Sequence, residues 1–104
     1  EINDAAAMGN AGLTRKSEDG RSDWTVFLSE GYPNSNYNES VIVHENYHVN
    51  QRFQGNRYSQ LEELGAYLRQ ATYSPGMVND FINKYNGSGL LDAVRRAYPS
   101  IRKF

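Results

Sequence analysis

The spacing of apolar and polar residues predicts two short strands in the first third of the chain. Residues 13–16 and 24–29 are rich in residues that favour strands, and Asp19-Gly20 between them is a typical turn pair. Apolar side chains alternate along residues 24–29, which would give this strand one apolar face. We therefore expect a β-hairpin in this region.

The rest of the chain follows a helical period after a loop predicted at residues 30–40. A first helix is expected from about Asn38–Ser40 to Phe53, before Gly55-Asn56. A second helix begins at Ser59, where the motif S-Q-L-E matches a capping box that pairs Ser59 with Glu62. An apolar stripe predicts its inner face and comprises Leu61, Leu64, Leu68 and Ala71.

Two shorter helices complete the predicted set. Ser74-Pro75 places a cap before a proline at the first helical position, and a last helix lies between Ser88 and Pro99. We therefore predict the α+β class, with a small β-hairpin or sheet packed against about four helices. Residues 1–12 are interpreted as a linker or flexible N-terminal segment, and residues 13–104 as a single domain.

The composition of the chain argues against several classes of binding partner. Eleven basic and twelve acidic residues leave a net charge of −1, and no basic stripe is visible, so we expect no nucleic-acid partner. No apolar run approaches the roughly 20 residues that span a bilayer, so we expect no membrane partner. The chain has no cysteine, which excludes disulfides and thiolate metal ligands. We expect a monomer.

The first residue and the polar composition of the chain indicate where the protein acts relative to the cell that makes it. It begins at Glu1 without a signal-peptide core, as an excised domain or a processed product would. Its surface is predicted to be polar but weakly charged, which is typical of exported proteins. We therefore expect a protein that is secreted or delivered as part of a larger one.

The segment VIVHENYHV, residues 41–49, contains both histidines of the chain. On a helix, His44 and His48 lie on one face with Cβ atoms about 5–6 Å apart. Each could place a nitrogen about 2.0–2.1 Å from one zinc ion. Glu45 lies about 100° around the helix, where it could take a proton from a zinc-bound water. The alternative is a helix face that carries two histidines by chance.

A catalytic zinc needs a third protein ligand, and no histidine or cysteine remains for that position. The candidates are the two glutamates of LEELGAY. Glu63 lies about 6 Å into the second helix, and His48 about 7.5 Å before the end of the first, so a helical hairpin would bring them level. Glu62 points about 100° away and is assigned to the capping box. Glu63 is therefore the predicted ligand.

These motifs resemble those of the zincin metallopeptidases, and specifically the gluzincins, over residues 41–67. The short chain is similar to minigluzincins and to the metallopeptidase domains of bacterial polymorphic toxins. The resemblance implies a minimal zincin-like fold and a zinc-dependent endopeptidase, with Zn²⁺ bound by His44, His48 and Glu63. Asn50, where the family pattern has an apolar residue, and the short gap before Glu63 depart from that pattern.

The resemblance also implies roles for other residues. Glu45 would be the general base and proton shuttle, and Tyr67 is the candidate catalytic residue that stabilises the oxyanion. A packing role is the alternative for Tyr67. Residues 24–29 could pair with an extended substrate, or could simply pack in the core.

The expected partners are a protein or peptide substrate and, by analogy with toxin domains, an immunity or inhibitor protein. Two other interpretations of the chain are kept open. One is a non-enzymatic pseudo-peptidase or interaction module, against which the intact Glu45 argues. The other is a latent protease whose residues 1–12 cover the cleft.

Overall fold

The computed structural model describes the backbone of residues 2–3, 12–16, 24–28 and 35–104, and the side chains of residues 39–104. Its helices are α1 (Ser35–Phe53), α2 (Gln60–Tyr73), α3 (Pro75–Lys84) and α4 (Leu90–Ala97). Its strands, described as backbone only, are β1 (Ile2–Asn3), β2 (Gly12–Lys16) and β3 (Trp24–Leu28), paired antiparallel in that order.

The predicted α+β class is wrong for the part of the chain whose side chains are described. Residues 39–104 are 71% helical and contain neither a strand nor a sheet. The physical reason is that the buried apolar cluster of these residues is built from side chains of the four helices and of Tyr98, directly after α4. The buried apolar cluster comprises Val41, Tyr67, Val78, Phe81, Ala93, Val94 and Tyr98. Of the linker predicted at residues 1–12, residues 1 and 4–11 lie outside the described residues, as do the predicted turn at 17–23 and residues 30–34 of the predicted loop.

Helix α1 is longer than its sequence pattern predicts. It begins at Ser35 rather than near Asn38–Ser40, so the last residues assigned to the loop are helical. Serine and asparagine are as common at helix starts as in loops, and the polar segment therefore did not distinguish the two. Gly55 follows the helix with a φ of +77°, a conformation that glycine adopts without strain.

Helix α2 is turned so that two of its three leucines face outward. Leu61 and Leu68 are 53% and 54% exposed, although the apolar stripe predicted them on the inner face. The buried residues of the helix are Gln60, Glu62, Glu63, Ala66, Tyr67 and Gln70. The polar side of α2 therefore lies against the rest of the protein, and the predicted inner face is wrong for Leu61 and Leu68, whereas Ala71 is partly buried against the core.

Backbone groups from the end of the described chain hold the first turn of α2. The N–H of Gln60 donates to the carbonyl of Arg102 at 2.7 Å, and the N–H of Leu61 donates to that of Lys103 at 3.1 Å. The first N–H groups of a helix have no partner within the helix, so these bonds satisfy donors that would otherwise need water or a cap. The side chain of Gln60 also donates to the carbonyl of Tyr98 at 2.9 Å.

A close crossing of α1 and α2 depends on Gly65. A Cβ atom on this glycine would lie 2.6 Å from the hydroxyl of Tyr47, so the ring of Tyr47 packs directly over the α2 backbone. The guanidinium carbon of Arg69 lies 4.3 Å from the centre of the same ring. The crossing brings the histidines of α1 to the polar face of α2. None of the described helices is long and apolar enough to cross a membrane.

Candidate metal centre

Two helices supply the polar groups that meet between them. Helix α1 contributes His44, Glu45 and His48, and helix α2 contributes Glu63, and all four side chains are fully buried. On α1 the spacing of four residues puts both imidazoles on one face. The ring centres lie 5.1 Å apart, with the ring planes at 68°.

Both imidazoles direct Nε2 at the same carboxylate oxygen. His44 Nε2 lies 3.0 Å from Glu63 Oε1, and His48 Nε2 lies 3.2 Å from it. Ligands at zinc-bond lengths in a tetrahedral arrangement would be about 3.3 Å apart. Of the described residues, His44, His48 and Glu63 form the one group with ligand atoms placed to share a metal ion, all within 4.8 Å of one another.

The opposite ring nitrogens are engaged by acceptors. His44 Nδ1 donates to Gln70 Oε1 at 2.8 Å, and His48 Nδ1 donates to Glu62 Oε2 at 2.6 Å. A neutral imidazole with its proton on Nδ1 presents a lone pair at Nε2. Both lone pairs then face the Glu63 carboxylate, an arrangement that a shared cation would make favourable. This donor set fits a divalent metal with nitrogen and oxygen ligands.

Tyr58 orients the Glu63 carboxylate. Its hydroxyl donates to Glu63 Oε2, which leaves Oε1 as the oxygen that faces the imidazoles. The half-buried Tyr58 ring also meets His48 edge-on, with ring centres 5.7 Å apart. Tyr58 therefore contacts two of the three candidate ligands.

Glu62 has a different role from the one that the capping box predicts. Half of the box is present, because the N–H of Glu62 donates to Ser59 Oγ at 3.1 Å. The side chain of Glu62 does not complete it but bonds to His48, and its other oxygen accepts from Arg52 Nη2. The assignment of Glu62 to the cap is therefore wrong for its carboxylate, because an imidazole donor lies across the helix pair.

Glu45 lies beside the ligand group and is not a member of it. Its Oε2 is 3.8 Å from His44 Nε2 and 3.6 Å from His48 Nε2. The carboxylate thus faces the same space as the two lone pairs, from the α1 side. This is where a base would have to lie to take a proton from a molecule between the ligands.

The structure places Tyr67 in the apolar core against His44. Its ring is stacked on Phe81 with centres 4.1 Å apart, and its edge contact with His44 has a centre separation of 4.4 Å. The Tyr67 hydroxyl shares a hydrogen bond of 2.9 Å with that of Tyr98. These contacts favour the packing alternative, and a role at the oxyanion stays a prediction.

Sequence reasoning missed three residues that support the candidate ligands. Gln70 lies seven residues after Glu63 and Arg52 lies four residues after His48, so helical spacing puts each on the same face as that ligand. The amide of Gln70 is fixed in turn, because its Nε2 donates to Met77 Sδ at 3.2 Å. Tyr58 precedes α2, and no helical period could have indicated it.

No protein-family model, curated protein or solved structure matches this chain. The resemblance to gluzincins therefore rests on the motif and stays a prediction. What the chain does has to be argued from the geometry of the site.

Proposed function

We propose that this protein is a zinc-dependent peptidase that uses Glu45 as its general base. One observation carries the proposal, namely the convergence of His44 Nε2 and His48 Nε2 on Glu63 Oε1 at 3.0 and 3.2 Å. Three nitrogen and oxygen ligands with a carboxylate alongside are the protein groups that catalytic zinc sites use. The proposed substrate is a protein or peptide.

The residues of the site have separate roles in the proposed reaction. His44, His48 and Glu63 would hold Zn²⁺, which when bound polarises a carbonyl and lowers the pKa of a coordinated water. Glu45 accepts a proton from the attacking water and then delivers it to the leaving amine, so that it ends the cycle ionised as it began. Gln70 and Glu62 keep the proton of each imidazole on Nδ1 and so keep both Nε2 atoms available.

The other expectations from the sequence belong to this proposal. They are export or delivery within a larger protein, an immunity or inhibitor protein as partner, and a monomeric state. The interpretation as a latent protease concerns residues 1–12, most of which lie outside the described residues.

The burial of the site favours a second candidate, a module that uses a metal for stability alone. Glu45 and the three candidate ligands are fully buried, whereas a peptidase has to admit substrate to its metal. A non-enzymatic domain would need the ligands but no accessible base. The two candidates differ in turnover and agree in metal content.

The test is metal analysis combined with a protease assay. Protein purified without chelator should contain about one zinc per chain and should cleave an unstructured protein, and a chelator should abolish cleavage. Glu63→Ala should lose both properties, whereas Glu39→Ala, at an exposed glutamate of α1, should keep both. Stoichiometric zinc without cleavage would support the second candidate, and absence of zinc after metal addition would exclude both.

A further inference from the structure

We infer that Glu62 is a positioning residue that sets the tautomer of His48, and that Arg52 makes the carboxylate necessary there. The inference rests on the proposed metal site, in which His48 must present an unprotonated Nε2. It predicts that the near-isosteric amide, Glu62→Gln, cannot replace the carboxylate while Arg52 is present.

The contact between Glu62 and His48 is direct and buried. Glu62 Oε2 lies 2.6 Å from His48 Nδ1, and the two side chains are 3% and 0% exposed. An ionised carboxylate can only accept, and Glu62 Oε2 lies nearer to Nδ1 than Glu63 Oε1 lies to Nε2, at 2.6 Å against 3.2 Å, so the proton of the imidazole is held on Nδ1. A carboxylate that holds a ligating histidine in this way fixes its ring orientation and raises its basicity.

Arg52 engages the other oxygen of the same carboxylate. Its Nη2 donates to Glu62 Oε1, and its guanidinium carbon lies 6.0 Å from the centre of the Tyr58 ring. A guanidinium is always charged and offers only donors. Glu62 therefore stands between two donors, each of which needs an oxygen.

An amide cannot serve both donors, because it has one oxygen and one NH₂ group. The bond from the charged guanidinium is stronger than that from a neutral imidazole, so the amide oxygen of Glu62→Gln would turn toward Arg52. Its NH₂ group would then face His48 Nδ1, which has to accept. The imidazole proton moves to Nε2, and the nitrogen that faces Glu63 can no longer bind a metal.

The decisive variant removes the competing donor. In Glu62→Gln combined with Arg52→Met, the amide oxygen is free to accept from His48 Nδ1, and the original tautomer returns. A purely structural role for Glu62 predicts the opposite order, because two substitutions would disturb the buried contacts more than one. Arg52→Met alone leaves the carboxylate on His48 and should preserve the site.

The first measurement is zinc affinity, by competition with a chelating indicator. Glu62→Gln should weaken binding about 10–100-fold, the range for a residue that orients a ligand. The double variant should recover roughly tenfold of that loss. Asp92→Asn is the matched control, because Asp92 and Arg96 form an exposed carboxylate–arginine pair at 2.9 Å on α4. Its zinc affinity should equal that of the wild type.

The second measurement is NMR of the imidazole ring nitrogens in metal-free protein at alkaline pH. His48 should carry its proton on Nδ1 in the wild type and the double variant, and on Nε2 in Glu62→Gln. An Nε2 proton in the wild type would overturn the inference without any variant, as would equal zinc affinities of Glu62→Gln and the double variant. If the wild type binds no zinc, the proposed function fails, and the tautomers still decide the role of Glu62.

Discussion

The Nε2 atoms of His44 and His48 face the same carboxylate, but their Nδ1 atoms bond to different partners. His44 donates to the neutral amide of Gln70, and His48 donates to the carboxylate of Glu62. A carboxylate partner makes the imidazole a more basic ligand than an amide does. At the proposed site the two histidines would therefore be unequal ligands, and substitution of Glu62 should have a larger effect on metal affinity than substitution of Gln70.

Glu45 gives the sharpest prediction for a single residue. Glu45→Gln should keep zinc, because Glu45 is not one of the three residues in the ligand group. The rate of peptide cleavage should fall by at least about 100-fold, since an amide cannot accept the proton. Zinc content and turnover on an unstructured protein are the measurements.

Glu39→Gln is the control for that variant, because it makes the same change at an exposed position of α1. Unchanged turnover in Glu45→Gln would remove Glu45 as the base. Loss of the metal from this variant would instead make Glu45 a ligand.

At the scale of elements, some features of α2 could be predicted from the sequence and others could not. The rise per residue predicts Glu63 level with His48, and Glu63 Oε1 lies 3.2 Å from His48 Nε2. The cap at Ser59 is also where the motif predicts it, as far as the serine is concerned. These features depend on residue spacing within each helix and on the short connection between α1 and α2, which a sequence specifies directly.

The orientation of α2 and the fold class depend on contacts that spacing does not specify. A stripe of leucines normally faces the core, but here Glu63 and Gln70 are buried because His44 and His48 offer them partners across the crossing. The α+β prediction is wrong for residues 39–104 for a related reason. Local patterns that favour a hairpin do not reveal that the buried apolar cluster of these residues consists of side chains from the helices and from Tyr98.

The role of Gly65 in the close crossing of α1 and α2 can be tested by adding a Cβ atom at this position. Gly65→Ala should gain about 0.5–1 kcal/mol of helix stability but lose about 1–3 kcal/mol to overpacking, so the domain should be less stable. The cause is Tyr47, whose hydroxyl would lie 2.6 Å from the new Cβ atom. Urea denaturation measures the difference.

Two comparisons isolate this contact. In a Tyr47→Ala background the obstacle is gone, and Gly65→Ala should be stabilising. Gly76→Ala is the control, because a Cβ atom at Gly76 meets nothing within 4 Å. Equal effects of Gly65→Ala with and without Tyr47 would show that the ring does not set the crossing.

Across the whole molecule, residues far apart in sequence fix the helix that carries Glu62 and Glu63. The carbonyls of Arg102 and Lys103 accept from the first two N–H groups of α2. The segment after α4 therefore helps to position the helix that carries the candidate ligand Glu63, through backbone contacts alone. No side chain of that segment has to reach the ligands for this effect.

Removal of residues 102–104 should expose this dependence. Two hydrogen bonds would be lost, at about 0.5–1.5 kcal/mol each, so the free energy of unfolding of metal-free protein should fall by about 1–3 kcal/mol. Zinc affinity should fall as well, because the first turn of α2 would loosen. Urea denaturation and indicator competition are the measurements.

Phe104→Ala is the control, because Phe104 is 84% exposed and the substitution leaves both carbonyls in place. Its stability should stay within about 0.5 kcal/mol of the wild type. A truncated protein that behaves like this control would show that the first turn of α2 holds itself.

The same backbone contacts also determine when, during synthesis of the chain, the first turn of α2 can be completed. Ribosomes add about 5–20 residues per second, so roughly 3–12 s pass between the synthesis of His44 and that of Lys103. During this interval a nascent chain can form α1 with both histidines. The helix that carries Glu63 still lacks the two carbonyls that accept from its first N–H groups. The helix that would supply the third ligand of the proposed site is therefore fully held only after Lys103 has been added, and a chain that ends before that residue should bind zinc more weakly than one that includes it.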